Sequence, residues 1–296
     1  MSNTNNQHRQ LYLGIDGGGS KCRAVIYCAE NGLLGHGISG PANVLRGTET
    51  AIKHIIEATE IALVEAGFDA ADKAELIAGI GLAGLNLESC QQEMLQWQHP
   101  FKQAYFTSDL HIACLGAHGG EDGAVIIAGT GSSGLVSVAG EIQEVGGHGF
   151  PVGDCGSGAW LGLKAIEVTL QTLDMLKSES ALTRAILNIY KVEKGTDLAQ
   201  LVASFQPADF AKLAPLVIEQ AINQDPHAMN LLQIGVDYLS AMALRLAGEN
   251  NLPLSLIGGL TPIMAEHFDY RIQKMIKPAQ QPPEIGAVLF AQTQPN

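Results

Sequence analysis

Clustered positive charge is missing from this chain. Its 296 residues carry 17 Lys and Arg against 30 Asp and Glu, a formal net charge of -13, with no run of basic residues. Such a surface repels a polyphosphate backbone, which excludes nucleic acid as a partner. Long apolar runs are missing too. The stretches 76–87 and 124–128 fall short of the roughly 18–20 residues of a spanning helix, so no membrane span is expected. The first ten residues, MSNTNNQHRQ, lack the apolar core of a signal peptide and cannot hold a helix-turn-helix, which points to a cytoplasmic protein. No Cys-x-x-Cys pair occurs among the five cysteines (Cys22, Cys28, Cys90, Cys114, Cys155). Neither a zinc ribbon nor a disulfide framework is supported, and unpaired thiols in a reducing compartment fit the count.

Charged residues are scarce, at 16%, while hydrophobic residues make up 46%, so the chain is not disordered and should bury large cores. The length suits two domains of roughly 100–200 residues each. No low-complexity linker divides them, so they are expected to pack against each other around a cleft.

Short β-rich runs at 11–15 and 23–28 flank the tight DGGGSK turn and read as a hairpin; 34–38 adds a third strand. Residues 48–66 carry apolar positions at helical spacing, ended by Gly67. Then follow a strand at 76–82, a helix at 88–97, a strand at 104–107 and a helix at 110–116. That order makes an α/β unit with strands buried on both faces. A second pass begins at 123–128, a strand followed by the turn GTGSSG and strands at 135–138 and 141–145. Residues 157–248 are mainly helical, with Asp225-Pro226 opening a long helix that reaches Gly248. A strand at 254–257, the turn GGLTP and a helix at 283–292 complete the chain. The two strand–turn–strand units give a duplicated architecture.

Five segments can carry chemistry. In GIDGGGSK, three successive glycines let the backbone approach an anion, with Ser20 and Lys21 facing phosphate and Asp16 placed to hold Mg²⁺ through water. The alternative is a hairpin with a loose glycine turn. The segment is neither GxxxxGK[ST] nor GxGxxG after a single strand, so the P-loop and dinucleotide readings fail on spacing. AGTGSSG is again a turn of small residues and hydroxyls between strands, and with the first loop it suggests two turns clamping one polyphosphate. In TSDL, Asp109 stands where a strand gives way to a helix. It is either an N-cap or, at a strand's carboxyl end, an acid that takes the proton of an attacking hydroxyl. In GGHGFPVGDCGSG, Asp154 either binds ligand hydroxyls or caps the helix near Ser157, and His148 is a candidate ligand contact. Cys155 has no neighbouring base and is not read as a nucleophile. IGGLTP suits a flat ring lying against backbone.

In this order and spacing, the five segments resemble the actin-like ATPase superfamily of sugar kinases. More narrowly, they resemble its N-acetylglucosamine kinase and benzoyl-CoA-reductase-activator ATPase family. GIDGGGSKCRAVI, GPANVLRG, TSDLHIACLGA, AVIIAGTGSSG, VGGHGFPVGDCGSGAWLG and LIGGLTP carry the resemblance, from residue 13 to residue 262. It implies two duplicated, ribonuclease H-like α/β domains around a nucleotide and sugar cleft. The first would span 1–117, with a C-terminal helix within 283–296 packing back on it, and the second, with a helical insertion, 118–282.

By the same resemblance, Gly17, Gly18, Gly19, Ser20 and Lys21 form the first phosphate loop, beside Asp16 with its Mg²⁺. Gly129, Thr130, Gly131 and Ser132 form the second. Gly258 and Gly259 lie by adenosine, with Lys212 approaching the base. Asp109 is the base for the sugar 6-hydroxyl; Asn43, Gly147, His148, Gly149 and Asp154 contact the amino sugar. The implied activity is transfer of phosphate from ATP to N-acetylglucosamine, with glucosamine as the alternative and a redox-activating ATPase as a further one; a homodimer is also implied. Cys155 stands where the family commonly has Glu, and the segment around His148 varies between N-acetylglucosamine and glucosamine kinases.

Overall fold

The computed structural model describes residues 10–295, so the polar N-terminal stretch read above lies, but for Gln10, outside the described residues. The elements run β1 (Leu11–Gly17), β2 (Cys22–Cys28), β3 (Gly32–Ser39), α1 (Thr48–Glu65), β4 (Leu76–Leu82), α2 (Glu88–Leu95), β5 (Gln103–Ser108), α3 (Asp109–His118), β6 (Gly123–Ala128), β7 (Ser132–Val138), β8 (Glu141–Gly146), α4 (Gly158–Leu173), α5 (Ala181–Tyr190), α6 (Gly195–Val202), α7 (Pro207–Ala211), α8 (Ala214–Ile222), α9 (Pro226–Ala243), β9 (Leu254–Ile257), α10 (Thr261–Glu266), α11 (Tyr270–Met275) and α12 (Pro283–Gln292). They form two compact units. The first takes the residues through Gly123, the hairpin tip Ser137–Ile142 and Pro278 onward. The second takes Ala124–Val136 and Gln143–Lys277.

In the first unit the sheet order is β3-β2-β1-β4-β5. β1 and β2 pair antiparallel from Leu11 opposite Cys28 to Gly17 opposite Cys22, while β4 and β5 continue the sheet parallel to β1. One face packs on α1 and the other on α12, and both approaches depend on missing Cβ atoms. A Cβ at Gly37 of β3 would lie 2.1 Å from Ala58 O of α1. On the other face, a Cβ at Gly14 would meet Glu284 O at 2.0 Å, one at Gly79 Ala287 O at 1.9 Å, and one at Gly286 Ile112 O of α3 at 1.9 Å. Leu13, Ile15, Ile26, Leu76, Ile80 and Leu82 of the central strands, with Ile55 and Leu63 of α1 and Met94 of α2, make the core. Burial on both faces, expected for the strands generally, holds throughout only for β4. β3 and β5 are the sheet's edges, and both stay partly exposed.

In the second unit the sheet order is β8-β7-β6-β9, with β6 and β9 parallel from Ala124 opposite Leu254 to Ile127 opposite Ile257. β7 begins at Ser132, three residues earlier than its periodicity suggested, so the last residue of the GTGS turn already belongs to the strand. Asp225 caps α9, its Oδ1 accepting from the His227 and Ala228 N–H groups at 3.0 Å and its Oδ2 from Leu182 N–H of α5 at 2.9 Å. α9 continues through a π-helical turn at Leu244–Gly248, the end point its sequence pattern gave.

Candidate active site

Within the first unit, the predicted residues gather at the carboxyl ends of β1, β4 and β5, the edge where open α/β sheets bind ligands. The β1–β2 turn closes with Gly18 N–H donating to Lys21 O at 3.0 Å. It is held from below by Ala83 N–H on Gly17 O (2.9 Å) and by Ala42 N–H on Gly18 O (3.0 Å). The neighbouring Asn43 caps a short 3₁₀ turn, its Oδ1 accepting from Leu45 N–H at 2.9 Å, and its Nδ2 lies 3.9 Å from where a Gly19 Cβ would stand. Arg46, from the same turn, donates to Gly19 O at 3.4 Å. The sequence reading overlooked this cation, because its placement depends on a contact across 27 positions.

Asp16, the penultimate residue of β1, lies directly opposite Arg23 of β2, and the guanidinium donates to its Oδ2 at 3.0 Å. Burial pushes the Asp16 carboxyl above its ordinary value. The Arg23 charge opposes this, the Glu284 charge adds to it, and Lys21 opposes it more weakly. Asp109 opens α3, two strand spacings from β1, about 10 Å. The N-cap is Ser108, whose Oγ accepts from His111 N–H at 3.1 Å, while Asp109 Oδ1 accepts from Leu110 N–H at 2.9 Å. Asp109 is therefore not the helix cap, and its carboxylate is oriented by the first turn it stands on.

Within the second unit, three predicted segments meet. The Gly129–Ser132 turn is anchored from behind by α4: Gly158 N–H donates to Gly129 O at 2.7 Å and Ala159 N–H to Thr130 O at 3.2 Å. The first N–H donors of α4 are thus already used within the unit, those of Gly158 and Ala159 by the turn and that of Trp160 by Ser157. The Gly258-Gly259 segment leaves β9 against the start of the same turn. Leu260 N–H donates to Ala128 O at 3.3 Å, and a Cβ at Gly258, whose φ is 118°, would lie 2.2 Å from that oxygen. The glycine-rich segment crosses beside them, with Gly147 N–H on Ser132 O at 3.1 Å and Ser132 Oγ donating to Cys155 O at 2.9 Å.

Asp154 folds its carboxylate back against the turn. Its Oδ1 accepts from Gly149 N–H at 3.2 Å, and its Oδ2 lies 2.8 Å from where a Gly131 Cβ would stand. Burial pushes its carboxyl up, against the opposing pull of the Gly149 and Ser132 N–H groups and of His148. The cap of α4 is Ser157, accepting from Trp160 N–H at 3.2 Å, which leaves Asp154 out of that role. His148 is exposed, between Gly147 and Gly149 at φ 68° and 84°. Burial also raises the Cys155 thiol, which suits an inert side chain.

Lys212, at the end of α7, donates to Asp209 Oδ1 at 2.8 Å in an exposed pair, while its neighbour Ala211 reaches the head of α4. Tyr238 of α9 is a further residue that sequence reading did not find. Its hydroxyl lies 3.1 Å from where a Gly146 Cβ would stand, and the Cys155 and Asp154 charges reach it. Among the described residues all five cysteines are free, and no three His, Cys, Asp or Glu side chains converge as a metal cluster. No helix among them is long and apolar enough to cross a membrane.

Two sheets of this order, each with a glycine-rich turn between its leading strands, define the actin-like ATPase fold, and solved kinases of that fold match nearly the whole chain. Residues 13–291 match the model of the BadF/BadG/BcrA/BcrD ATPase family, and the chain belongs to that family. It is 31% identical over 283 residues, 95% of each chain, to glucosamine kinase GspK of Vibrio cholerae. It is 26% identical over 280 residues, 85% of each chain, to N-acetyl-D-glucosamine kinase of Dictyostelium discoideum. A crystal structure of a proposed N-acetylglucosamine kinase from Chromobacterium violaceum superposes with TM-score 0.87 at 31% identity, covering 96% of this chain and 99% of that one.

Proposed function

We propose that the chain is an ATP-dependent amino-sugar kinase that phosphorylates the 6-hydroxyl of N-acetylglucosamine. Similarity along nearly the whole chain to amino-sugar kinases supports the class of reaction. The observation that carries the nucleotide reading concerns glycines without a folding reason. Gly18, Gly19, Gly129 and Gly259 have neither a positive φ nor a neighbour that a Cβ would crowd. A glycine there costs conformational entropy for nothing unless something must approach the backbone closely. All four lie in the segments assigned to phosphate and adenosine.

In this reading Gly17 to Lys21 and Gly129 to Ser132 take the phosphates, with Gly258 and Gly259 beside adenosine and Lys212 near the base. Asp109 accepts the proton of the 6-hydroxyl as phosphoryl transfer begins, while Asn43, Gly147, His148, Gly149 and Asp154 hold the sugar. Asp16 fits a magnesium site: it is a desolvated carboxylate next to the first phosphate loop, and a bound cation offsets the cost of its charge. Magnesium there would neutralise phosphate charge. The homodimer and the cytoplasmic location belong to the same reading.

Glucosamine is the second reading, favoured by the relative from Vibrio cholerae. The two sugars differ by an acetyl group and a positive charge, so one site needs an apolar recess at the 2-position and the other a carboxylate. Coupled ADP release with MgATP and, in parallel, N-acetylglucosamine, glucosamine, glucose and no sugar tests both. Release that requires N-acetylglucosamine is the expected result; release with glucosamine alone selects the second reading. Release independent of sugar would make the protein an ATPase that serves another partner.

A further inference from the structure

Asp16 has a second acid beside it. Glu284 stands in the first turn of α12 where that helix crosses β1, since a Cβ on Gly14 would lie 2.0 Å from Glu284 O. Strand side chains alternate between faces, so Asp16, two residues on from Gly14, projects on the same face, at the end of β1 that leads into the first phosphate loop. Oε2 of Glu284 is buried and has no hydrogen-bond partner among the described residues. The Glu284 charge also reaches Asp16 and adds to the rise in its pKa.

An acid in a first helical turn is ordinarily explained by the helix dipole. That explanation accounts for the charge and not for an oxygen cut off from both solvent and donors. Arg23 serves Asp16 Oδ2, and no cation is paired with Glu284 among the described residues. A buried, unpartnered carboxylate oxygen next to a second carboxylate is an unfavourable arrangement until a cation joins it. Magnesium suits such a pair of carboxylates, because it is commonly held by one or two carboxylates together with waters and substrate phosphates.

We infer that Glu284, delivered by the C-terminal helix, is the second carboxylate of the magnesium site at Asp16. It acts on the ion through coordinated water and makes that site depend on two segments 268 positions apart, 284 less 16. The inference rests on the kinase reading above and extends it to a residue outside the five glycine- and acid-bearing segments.

The test is calorimetric titration of the full chain with ADP, once with excess MnCl2 and once with EDTA, for the wild type, Glu284→Gln and Glu284→Asp. The readout is the factor by which metal tightens ADP binding, with thermal melts run alongside. Both variants should bind ADP in EDTA as the wild type does, while the metal-dependent factor falls by about tenfold or more, the usual effect of removing a residue that supports metal ligands. Glu284→Asp keeps the first-turn charge and shortens the reach, so it separates the metal role from the dipole role and serves if Glu284→Gln fails to fold. A wild-type metal factor in Glu284→Asp overturns the inference and makes Glu284 a helix-end acid. A wild type that binds no ADP under either condition overturns the nucleotide reading and the inference with it, and that outcome is distinct because it appears before any substitution.

Discussion

At the scale of single residues, glycine separates packing from ligand approach. Gly14, Gly79 and Gly286 are needed because backbone oxygens occupy the places of their Cβ atoms. A Gly18 Cβ, by contrast, would make only an ordinary 3.4 Å contact with Lys21 O. Gly18→Val should therefore fold with near-wild-type stability and weaken nucleotide binding strongly, as read by calorimetry in parallel with a thermal melt. Equal losses of stability and affinity would assign Gly18 to the turn itself. Asp109 admits a similarly sharp test, because Ser108 has taken over the capping role that was its ordinary explanation. Asp109→Asn should leave ADP and sugar binding nearly intact and lower turnover by about 10²–10⁴-fold, the usual contribution of a general base. Turnover within a few-fold of wild type would assign Asp109 a structural part in the first turn of α3, where it accepts from Leu110 N–H.

At the scale of elements, the docking of α12 decides whether the first unit is complete. β1 and β4 present Gly14 and Gly79 to it, and the helix answers with Gly286 against α3. Gly79→Ala places a Cβ 1.9 Å from Ala287 O, a backbone atom on a helix packed on both sides. The helix must shift, at a cost of about 1–3 kcal/mol by the usual penalty of overpacking. Denaturant unfolding measures it, and a loss below about 0.5 kcal/mol, ordinary for a surface change, would mean that α12 docks loosely. The same elements show how far the sequence is legible. Strands and helices were readable because period-2 and period-3.6 patterns are local, and the β1–β2 turn and the Asp225 cap announce themselves in adjacent residues. What was missed depends on distant chain. That β3 and β5 are edges follows from strand order; the capping of α3 by Ser108 and of α4 by Ser157 is the local exception, decided by which nearby polar residue, Ser108 or Asp109 and Asp154 or Ser157, immediately precedes the helix. The places of Arg46, Tyr238 and Glu284 follow from packing between segments tens to hundreds of residues apart.

At the scale of the whole molecule, an excess of 30 acids over 17 bases suggests a uniform response to acid, but the individual carboxylates oppose one another. Burial pushes the Asp225 carboxyl up, yet the N–H groups of Leu182, Ala228 and His227 and the Ser180 hydroxyl outweigh it and hold the group below its ordinary 3.8. Asp225 thus stabilises the fold above pH 3.8, and that contribution is lost as pH falls through its folded value. Asp154 and Asp16 run the other way. Burial raises both, so the native state holds their protons more tightly than the unfolded chain does, and stability is lost as pH rises from 3.8 through the folded value. At neutral pH these two carboxylates therefore work against folding, a cost that the sugar and magnesium roles proposed for them would explain. Asp154→Asn mimics the protonated acid, and its side-chain oxygen can still accept from Gly149 N–H. Its denaturation midpoint should exceed that of the wild type at pH 7, the two should converge below about pH 3.8, where the wild-type acid is protonated in both states, and sugar-dependent turnover should fall. A variant less stable by the same margin at every pH would instead make Asp154 a structural acceptor for the Gly149 and Ser132 backbone, and its place among the sugar contacts would then have to rest on other observations.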